Sequence, residues 1–277
     1  MKETIRRLGC SPAARHIYAV ASKLPIVGPA LRRIVRSVLP LESRVWIRIH
    51  SGLGKGLWAN LNPRFETIYV EGEYEGPLQE SLSKYLRTGG VFYDVGAHIG
   101  IVSLCAAKLV GPTGTVFAFE ADPENAKRIV ENVQRNNLDW IEMVSRAAWH
   151  SDGCVEFQRA SVHSSRNQGG VSTVSPADQS DMIRVEAIAL DTFAEKHRLP
   201  TVIKVDVEGA EAEVLRGSER IFAQAKPILI CEVHGVKPAD DVTRWLSEHG
   251  YRYQWLDSST EFPRHLLAEA ILESAAS

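Results

Sequence analysis

The segment VFYDVGAHIG, residues 91–100, constrains the fold of this chain more than any other stretch. An apolar run ends in Asp94 and two glycines, and Ile101 to Val110 then show apolar residues at helical spacing. The segment predicts a strand, a tight turn and the start of a helix, with Gly96 and Gly100 letting the backbone turn and approach a ligand closely. A turn of this kind usually holds a nucleotide-like cofactor.

Strand-like and helix-like segments alternate along most of the remaining chain. This alternation predicts an α/β fold, in which a mostly parallel sheet carries helices on both faces. The predicted strands are Thr115 to Glu120, Ile141 to Ala148, Val202 to Val207, Pro227 to Val233 and a closing hairpin of Tyr251 to Leu256 with the stretch after Phe262. The predicted helices run from Asp122 to Asn136, Leu190 to Lys196, Glu208 to Ala223 and Asp240 to His249.

Three parts are expected along the chain. Residues 1–44 form a basic helical extension, and residues 45–90 form two short strands, Val45 to His50 and Leu57 to Asn60, and a helix from Pro77 to Leu86 that cover the cofactor site. Residues 91–277 form the core. A loop or hairpin insertion at about residues 152–188 contains two strand-like runs, Val155 to Arg159 and Ile183 to Ile188. Such insertions often specialise for a substrate, although a hairpin without such a role is an equal alternative.

Composition excludes several classes of protein. A formal charge of −2 argues against a nucleic-acid binder, whose surface is normally strongly basic. No apolar run approaches the roughly 20 residues of a transmembrane helix, and no secretion signal is evident. Thiols scattered without a C-x-x-C pair suit a reducing compartment, so we expect a cytoplasmic protein. These thiols are Cys10, Cys105, Cys154 and Cys231.

Residues 1–44 contain nine basic and two acidic residues, a formal charge of +7. Residues 30–39 place apolar and basic side chains on opposite faces of a helix. This pattern is compatible with peripheral contact with an anionic membrane or an acidic partner. A solvated helix packed on the domain explains it as well.

The glycine turn differs from a dinucleotide fingerprint, because its glycines have the spacing G-x-x-x-G and an acid precedes them. Asp94 can meet the ammonium of an amino-acid moiety, directly or through water. Glu120 ends the next strand, where a carboxylate can accept hydrogen bonds from both ribose hydroxyls. The turn lacks a basic residue that would neutralise a phosphate. Together these features favour S-adenosylmethionine as the cofactor.

A second constellation follows the strand that begins at Val202, in the sequence KVDVEGAE, residues 204–211. Strand ends of a parallel sheet share one crevice, so Asp206 is expected near Asp94 and Glu120, together with His234 from the end of the next strand. The acids and the histidine can serve as base and orienting groups. Two alternatives remain. A divalent ion can bind Asp206, Glu208 and His234, or the acids can simply cap a helix.

The motifs DVGAHIG, VFAFEADPENAKRIVENVQRNN, LDTF, KVDVEGAEAEVLRG and PILICEVHG resemble those of FkbM-type S-adenosylmethionine-dependent methyltransferases, over roughly Gly72 to Gly235. The resemblance implies a class I methyltransferase (Rossmann-like) sheet of about seven strands, one of them antiparallel. It also implies methylation of a hydroxyl oxygen on a sugar, glycan or specialised metabolite. His98 stands where the family often has Asn.

The resemblance and the residue patterns together give a set of candidate site residues. The candidate cofactor-binding residues are Asp94, Gly96, His98, Gly100, Glu120, Ala121, Arg146, Ala147 and Asp206, with Arg146 and Ala147 beside the adenine. The candidate catalytic residues are Asp206, Glu208, Glu211 and His234. The candidate substrate-binding residues are Glu75, His163 and Asn167. No resident metal is expected.

The expected reaction is direct displacement, in which the protein aligns a hydroxyl oxygen behind the methyl group and removes its proton. His234 is favoured as the base because its unperturbed pKa is about 6.5. Methyl transfer to nitrogen or carbon is one alternative. A non-catalytic scaffold that sits on a membrane through its basic N-terminus is another.

Overall fold

The computed structural model describes residues 43–72, 74–159, 170–171 and 182–271. These residues fall into two compact units, one ending at Tyr74 and the other beginning at Glu75. In the first unit, strands β1 (Val45–Arg48) and β2 (Trp58–Leu61) pair antiparallel, and both strands were expected from the sequence. The predicted basic extension lies outside the described residues, apart from residues 43 and 44.

The second unit begins with helix α1 (Gly76–Tyr85), strand β3 (Val91–Val95) and helix α2 (Ile101–Val110), which confirms the strand, turn and helix predicted for residues 91–110. It continues with β4 (Thr115–Phe119), α3 (Pro123–Asn136), β5 (Ile141–Val144), β6 (Ala147–Ala148), β7 (Gly153–Gln158), β8 (Gly170–Val171), β9 (Met182–Ile188) and α4 (Leu190–Ala194). The remaining elements are β10 (Val202–Val205), α5 (Glu211–Arg216), α6 (Glu219–Ala225), β11 (Ile228–Val233), α7 (Val236–Glu248), β12 (Tyr251–Trp255) and β13 (Arg264–Ala270).

Seven strands of this unit form one sheet in the order β12-β13-β11-β10-β3-β4-β5. Neighbouring strands from β11 to β5 are parallel, whereas β13 runs antiparallel to both β11 and β12. The predicted α/β fold is therefore confirmed, including the single antiparallel strand contributed by the closing hairpin. Because parallel strands end at the same edge of a sheet, the carboxyl ends of β3, β4, β10 and β11 lie side by side.

The central strand is buried on both faces, as expected for a parallel sheet covered by helices. Tyr93 and Val95 belong to a core cluster with Val214 and Trp245 of the covering helices. Alternation along the strand turns Asp94 to the opposite face. The core therefore fixes which face of the sheet carries the first acid of the predicted site.

The predicted strand Ile141 to Ala148 is wrong in extent, because β5 and β6 belong to different sheets. β6 pairs with β9 in a four-stranded sheet of order β6-β9-β7-β8. The two strand-like runs of the predicted insertion are β7 and β9, which pair antiparallel. The polar loop between them, residues 160–169, lies outside the described residues.

The predicted helix Glu208 to Ala223 is also wrong in extent. Glu208 and Gly209 have positive φ angles of 55° and 101°, so the helix begins only at α5. It is interrupted at Gly217, where a Cβ would lie 2.1 Å from the carbonyl oxygen of Trp149. Only glycine allows the two backbones to pass this closely. The last long helix begins at Val236, four residues before the predicted start.

In the part of the chain that the structure describes, every helix is too short or too polar to span a lipid bilayer.

Candidate active site

The edge formed by the carboxyl ends of β3, β4, β10 and β11 collects the acids predicted from the sequence. Asp206 Oδ1 lies 3.8 Å from His234 Nε2, as the shared edge predicts. Asp94 Oδ1 and Asp206 Oδ2 lie 3.3 Å and 3.2 Å from the same ammonium, Lys204 Nζ. Asp94 and Asp206 thus share one buried lysine, for which no role was predicted from the sequence, and Asp206 also lies beside His234.

Lys204 connects the glycine turn to strand β10. Its ammonium is buried and donates a hydrogen bond to the Gly96 carbonyl oxygen at 2.9 Å. Burial opposes a charge here, but the carboxylates of Asp206 and Asp94 outweigh burial and raise the pKa of Lys204. Lys204 is therefore a buried cation that holds the turn and two carboxylates in one arrangement.

Asp94 is fully buried and has partners within the protein. Ser103 Oγ donates to its Oδ2 at 2.5 Å, and Lys204 forms the ion pair with Oδ1. In this position Asp94 organises the turn and the start of α2. Its predicted contact with a ligand ammonium stays a prediction.

Gly96 has a φ of 77°, and a Cβ at this position would lie 1.8 Å from the carbonyl oxygen of Asp206. From the sequence, this glycine was expected to let the backbone turn and approach a ligand closely. The structure gives a further reason, which is the close approach of the turn to the end of β10. Gly100 has a φ of 82°, and a Cβ there would lie 3.1 Å from Ile129. His98 also has a positive φ, of 52°, although it is not a glycine.

Glu120 follows β4 and receives two backbone hydrogen bonds. His98 N–H donates to its Oε2 at 2.7 Å, and Asp122 N–H donates to its Oε1 at 2.8 Å. Burial raises the pKa of Glu120 to about 7, against the opposing effect of these two hydrogen bonds. Each carboxylate oxygen has more than one acceptor site, so this arrangement leaves acceptor capacity for a diol.

His234 is held by a buried carboxylate. Its Nδ1 lies 2.7 Å from Glu211 Oε1, which also accepts a hydrogen bond from Gly209 N–H at 2.9 Å. This contact turns His234 Nε2 toward Glu208 Oε2, 3.3 Å away, and Asp206. Burial opposes the imidazolium, but the Glu211 hydrogen bond and the neighbouring carboxylates raise the pKa of His234 to about 9. The expectation of an unperturbed pKa, on which His234 was preferred as the base, is therefore wrong.

Glu208 has a different environment from the other acids of this cluster. Its side chain is 24% exposed, compared with 17% for Asp206 and none for Glu211. Its backbone has the left-handed conformation that L-residues rarely adopt, and such strain concentrates at functional sites. Burial raises the pKa of Glu208 to about 7, although the neighbouring His234 opposes this rise. A carboxylate with this pKa changes protonation near neutral pH.

Glu232 and His265 pair in register on β11 and β13, and neither was predicted as a site residue. A carboxylate within the apolar run of β11 was a signal for Glu232, whereas no sequence signal marked His265. Burial, together with the charges of Asp206 and Glu75, raises the pKa of Glu232 to about 8. The ligand atoms of Asp206, Glu232 and His234 lie within 4.8 Å of one another. Among the described residues, Glu232 thus replaces Glu208 in the predicted alternative metal set.

The remaining predicted site residues are more dispersed. Arg146 forms an exposed ion pair with Glu186 at 3.0 Å, and Ala147 is buried in β6. Ala121 is half-buried after β4. The predicted substrate residues His163 and Asn167 lie outside the described residues. Glu75 lies beside the site, with its Oε2 3.9 Å from His265 Nε2.

The chemistry of this edge fits S-adenosylmethionine. The cofactor carries a sulfonium and an ammonium, and the edge presents several carboxylates while its buried lysine is already paired. A ribose diol requires acceptors, which Glu120 offers. A Cβ on Gly209 would meet no atom within 4 Å, so there is open space next to the cluster. When bound, the cofactor would be held by the β3 turn and Glu120.

Comparison with known proteins identifies a methyltransferase domain in this chain. The model of the methyltransferase FkbM domain matches residues 94–253. The hexuronic acid methyltransferase AglP of Haloferax volcanii is 32% identical over 161 residues, which are 57% of this chain and 62% of that protein. The ribosomal protein L11 methyltransferase of Thermotoga petrophila is 31% identical over 86 residues, 30% of this chain and 32% of that protein. The chain thus spans less than two thirds of the length of these relatives.

A solved structure of a methyltransferase FkbM from Methylobacillus flagellatus KT is 18% identical, with a TM-score of 0.49, and the match covers 69% of this chain and 50% of that chain. The family assignment follows from the domain model, because its match extends over more than half of the 277 residues. The predicted resemblance is therefore confirmed, and the chain belongs to the FkbM family of S-adenosylmethionine-dependent methyltransferases.

Proposed function

We propose that this methyltransferase transfers the methyl group to a hydroxyl oxygen of a sugar or glycan, with Glu208 as the general base. The observation that carries this proposal is the placement of Glu208, which is partly exposed at the sheet edge and has a pKa of about 7. A base of this pKa is well matched to removing a proton at neutral pH. The similarity to a hexuronic acid methyltransferase supports a sugar acceptor.

The charge of the site supports a hydroxyl rather than a carboxylate as the reacting group. Asp206, Glu208 and Glu232 lie around His234 at the same edge. An acceptor carboxylate at this place would meet the charge of Asp206. Repulsion from Glu208 and Glu232 would be added as the pH rises through their pKa values of about 7 and about 8. A neutral hydroxyl is not repelled, and it needs the base that Glu208 provides.

The mechanism assigns one task to each side chain. When bound, S-adenosylmethionine would supply a methyl group on a positively charged sulfur, and the sulfur would take the electron pair of the broken carbon–sulfur bond. Glu208 accepts the proton of the acceptor hydroxyl, so that the oxygen is left with the electron pair that forms the new bond to carbon. Glu211 fixes the imidazole of His234, whose Nε2 stabilises the ionised form of Glu208. Lys204 keeps Asp206 ionised beside them.

The cofactor roles of the other predicted residues belong to the same proposal. The β3 turn contacts the methionine part, Glu120 binds the ribose, and Arg146 and Ala147 lie toward the adenine. The turn residues are Asp94, Gly96, His98 and Gly100. A cytoplasmic location, the absence of nucleic-acid binding and a membrane contact of residues 1–44 stay predictions. Flotation with anionic liposomes, with and without residues 1–44, tests the membrane contact.

The experiment that tests the proposed function is transfer of a radiolabelled methyl group from S-adenosylmethionine to hexuronic acid glycosides and to neutral glycosides. We expect a methyl ether, which resists mild alkali. An alkali-labile methyl ester would contradict the hydroxyl assignment, and the absence of labelled product with every glycoside would contradict the sugar acceptor. Glu208→Gln should form much less of the methyl ether. Glu213→Gln is its matched control, because Glu213 is a partly exposed acid of α5 whose described partners are His150 and Arg216.

A further inference from the structure

Three side chains from separate elements converge on one point beside the site of the proposed base. Glu75 precedes α1, Glu232 lies in β11, and His265 lies opposite Glu232 in β13. One ligand atom from each of the three residues lies within 4.8 Å of the other two. Two atoms bound to one ion at about 2.0–2.2 Å can be no farther apart than about 4.4 Å, and His265 Nε2 and Glu75 Oε2, which are 3.9 Å apart, meet this limit.

His265 is oriented by a carboxylate on the side away from this point. Asp257 Oδ2 lies 3.3 Å from His265 Nδ1 and also accepts the His265 backbone N–H at 2.5 Å. A carboxylate at Nδ1 places the ring proton there and leaves the lone pair on Nε2. Histidine ligands of metal ions usually have such a carboxylate partner at their other nitrogen.

The Nε2 atom of His265 is buried and has no hydrogen-bond partner among the described residues. It lies 3.9 Å from Glu75 Oε2, which is too long for a hydrogen bond. A lone pair and a carboxylate oxygen that face each other in a buried place repel each other. A cation between His265 Nε2 and Glu75 Oε2 would remove this repulsion, because both atoms would bind it.

The backbone carbonyl of Glu75 accepts a hydrogen bond from Gln79 N–H of α1, whereas its carboxylate lies beside this point. Glu75 is the N-cap residue of α1, but its side chain makes no capping hydrogen bond. Its φ and ψ of 49° and 59° are in the left-handed region. Its side chain is only 10% exposed.

From this arrangement we propose that Glu75, Glu232 and His265 bind a first-row divalent cation, such as Mn²⁺ or Zn²⁺. Two carboxylates and an imidazole suit these ions, whereas Mg²⁺ and Ca²⁺ prefer oxygen ligands alone. The neighbouring set of Asp206, Glu232 and His234 is less suitable. Lys204 already lies 3.2 Å from Asp206, and His234 Nε2 already lies 3.3 Å from Glu208. The proposal is independent of the methyl acceptor.

The test is titration of the full-length, EDTA-treated protein with Mn²⁺ at pH 7.5, with the free ion followed by electron paramagnetic resonance. We expect one Mn²⁺ per chain, and at least 10-fold weaker binding in His265→Ala. We expect Asp257→Asn, which removes the orienting partner, to weaken binding by about 10- to 100-fold. His150→Ala is the matched control, since His150 also pairs with a glutamate but lies on the surface. The affinity of this variant for Mn²⁺ should equal that of the wild type.

Three results would overturn the proposal. They are the absence of stoichiometric binding to the wild type, unchanged binding in His265→Ala, and loss of binding in His234→Ala while His265→Ala binds normally. Thermal melting of each variant without metal shows whether it is folded. If His265→Ala does not fold, Glu75→Gln replaces it, with the same expected loss and the same contradicting result. Because the measured quantity is Mn²⁺ binding, the test remains valid even if the protein does not transfer a methyl group as proposed.

Discussion

The Lys204 ammonium donates a hydrogen bond to the Gly96 carbonyl oxygen at 2.9 Å. This contact ties the turn after β3 to strand β10, on which Lys204 lies. Because the same ammonium pairs with Asp94 and Asp206, one side chain fixes both the turn after β3 and the acid next to the proposed base.

We therefore expect Lys204→Met to lower the free energy of unfolding by about 3–5 kcal/mol, since it leaves two buried carboxylates without their cation. Urea denaturation measures this loss. Lys237→Met is the control, because Lys237 is highly exposed and its pair with Asp241 lies on the surface. A loss of less than about 1 kcal/mol, typical of a surface pair, would show that the buried lysine is not needed for folding.

Gly96→Ala should destabilise the protein by at least about 2 kcal/mol, through overpacking and a positive φ. The added Cβ would lie 1.8 Å from the Asp206 carbonyl oxygen, so the turn or β10 has to move. Gly76→Ala is the control, because a Cβ there meets no atom within 4 Å and its φ is not positive. Equal melting temperatures for the two variants would contradict the close approach of the turn to β10.

Glu120→Gln should raise the Kd for S-adenosylmethionine by about 10- to 100-fold, because a hydrogen bond to a charged group contributes about 1.5–3 kcal/mol. Isothermal titration calorimetry measures this change. Glu142→Gln, on the neighbouring strand β5, serves as the control, since its side chain is 56% exposed. An unchanged Kd in Glu120→Gln would remove Glu120 from the cofactor site.

Glu208 should make the protein less stable as the pH rises. Folding raises its pKa from the usual value of about 4.3 to about 7, so the unfolded chain ionises first between these values. The loss of stability begins near the lower pKa and is complete above the higher one. We expect Glu208→Gln to be more stable than the wild type by about 1–2 kcal/mol at pH 8, and not at pH 4. Urea denaturation of both proteins at pH 4 and pH 8 measures this difference in the free energy of unfolding. A difference of the same size at both pH values would contradict the raised pKa.

Much of the fold followed from periodicity, because the buried strands and the amphipathic helices each produce a recognisable pattern. Periodicity did not predict that residues 141–148 divide between two sheets or that the helix breaks at Gly217. Both features depend on contacts with distant backbone. For the site, the strand ends predicted that Asp94, Asp206 and His234 converge. The raised pKa of His234 was not predictable, because it depends on a buried partner whose contact is set by the fold.

The contacts between β11 and the closing hairpin were the hardest to predict. Glu232 and His265 meet because β13 returns antiparallel beside β11, and Asp257 reaches His265 across the closing hairpin. A linear pattern contains no information on this register.

The pH dependence of kcat/KM for the methyl acceptor, compared between the wild type and Glu208→Gln at saturating S-adenosylmethionine, tests the central claim most directly. For the wild type, we predict a rate that rises with pH and levels off above about pH 7, as Glu208 loses its proton. Glu208→Gln should lose about 10²- to 10⁴-fold in rate together with this inflection, while it still binds the cofactor. A variant that keeps wild-type turnover, or the same inflection near pH 7, would contradict the assignment of Glu208 as the base.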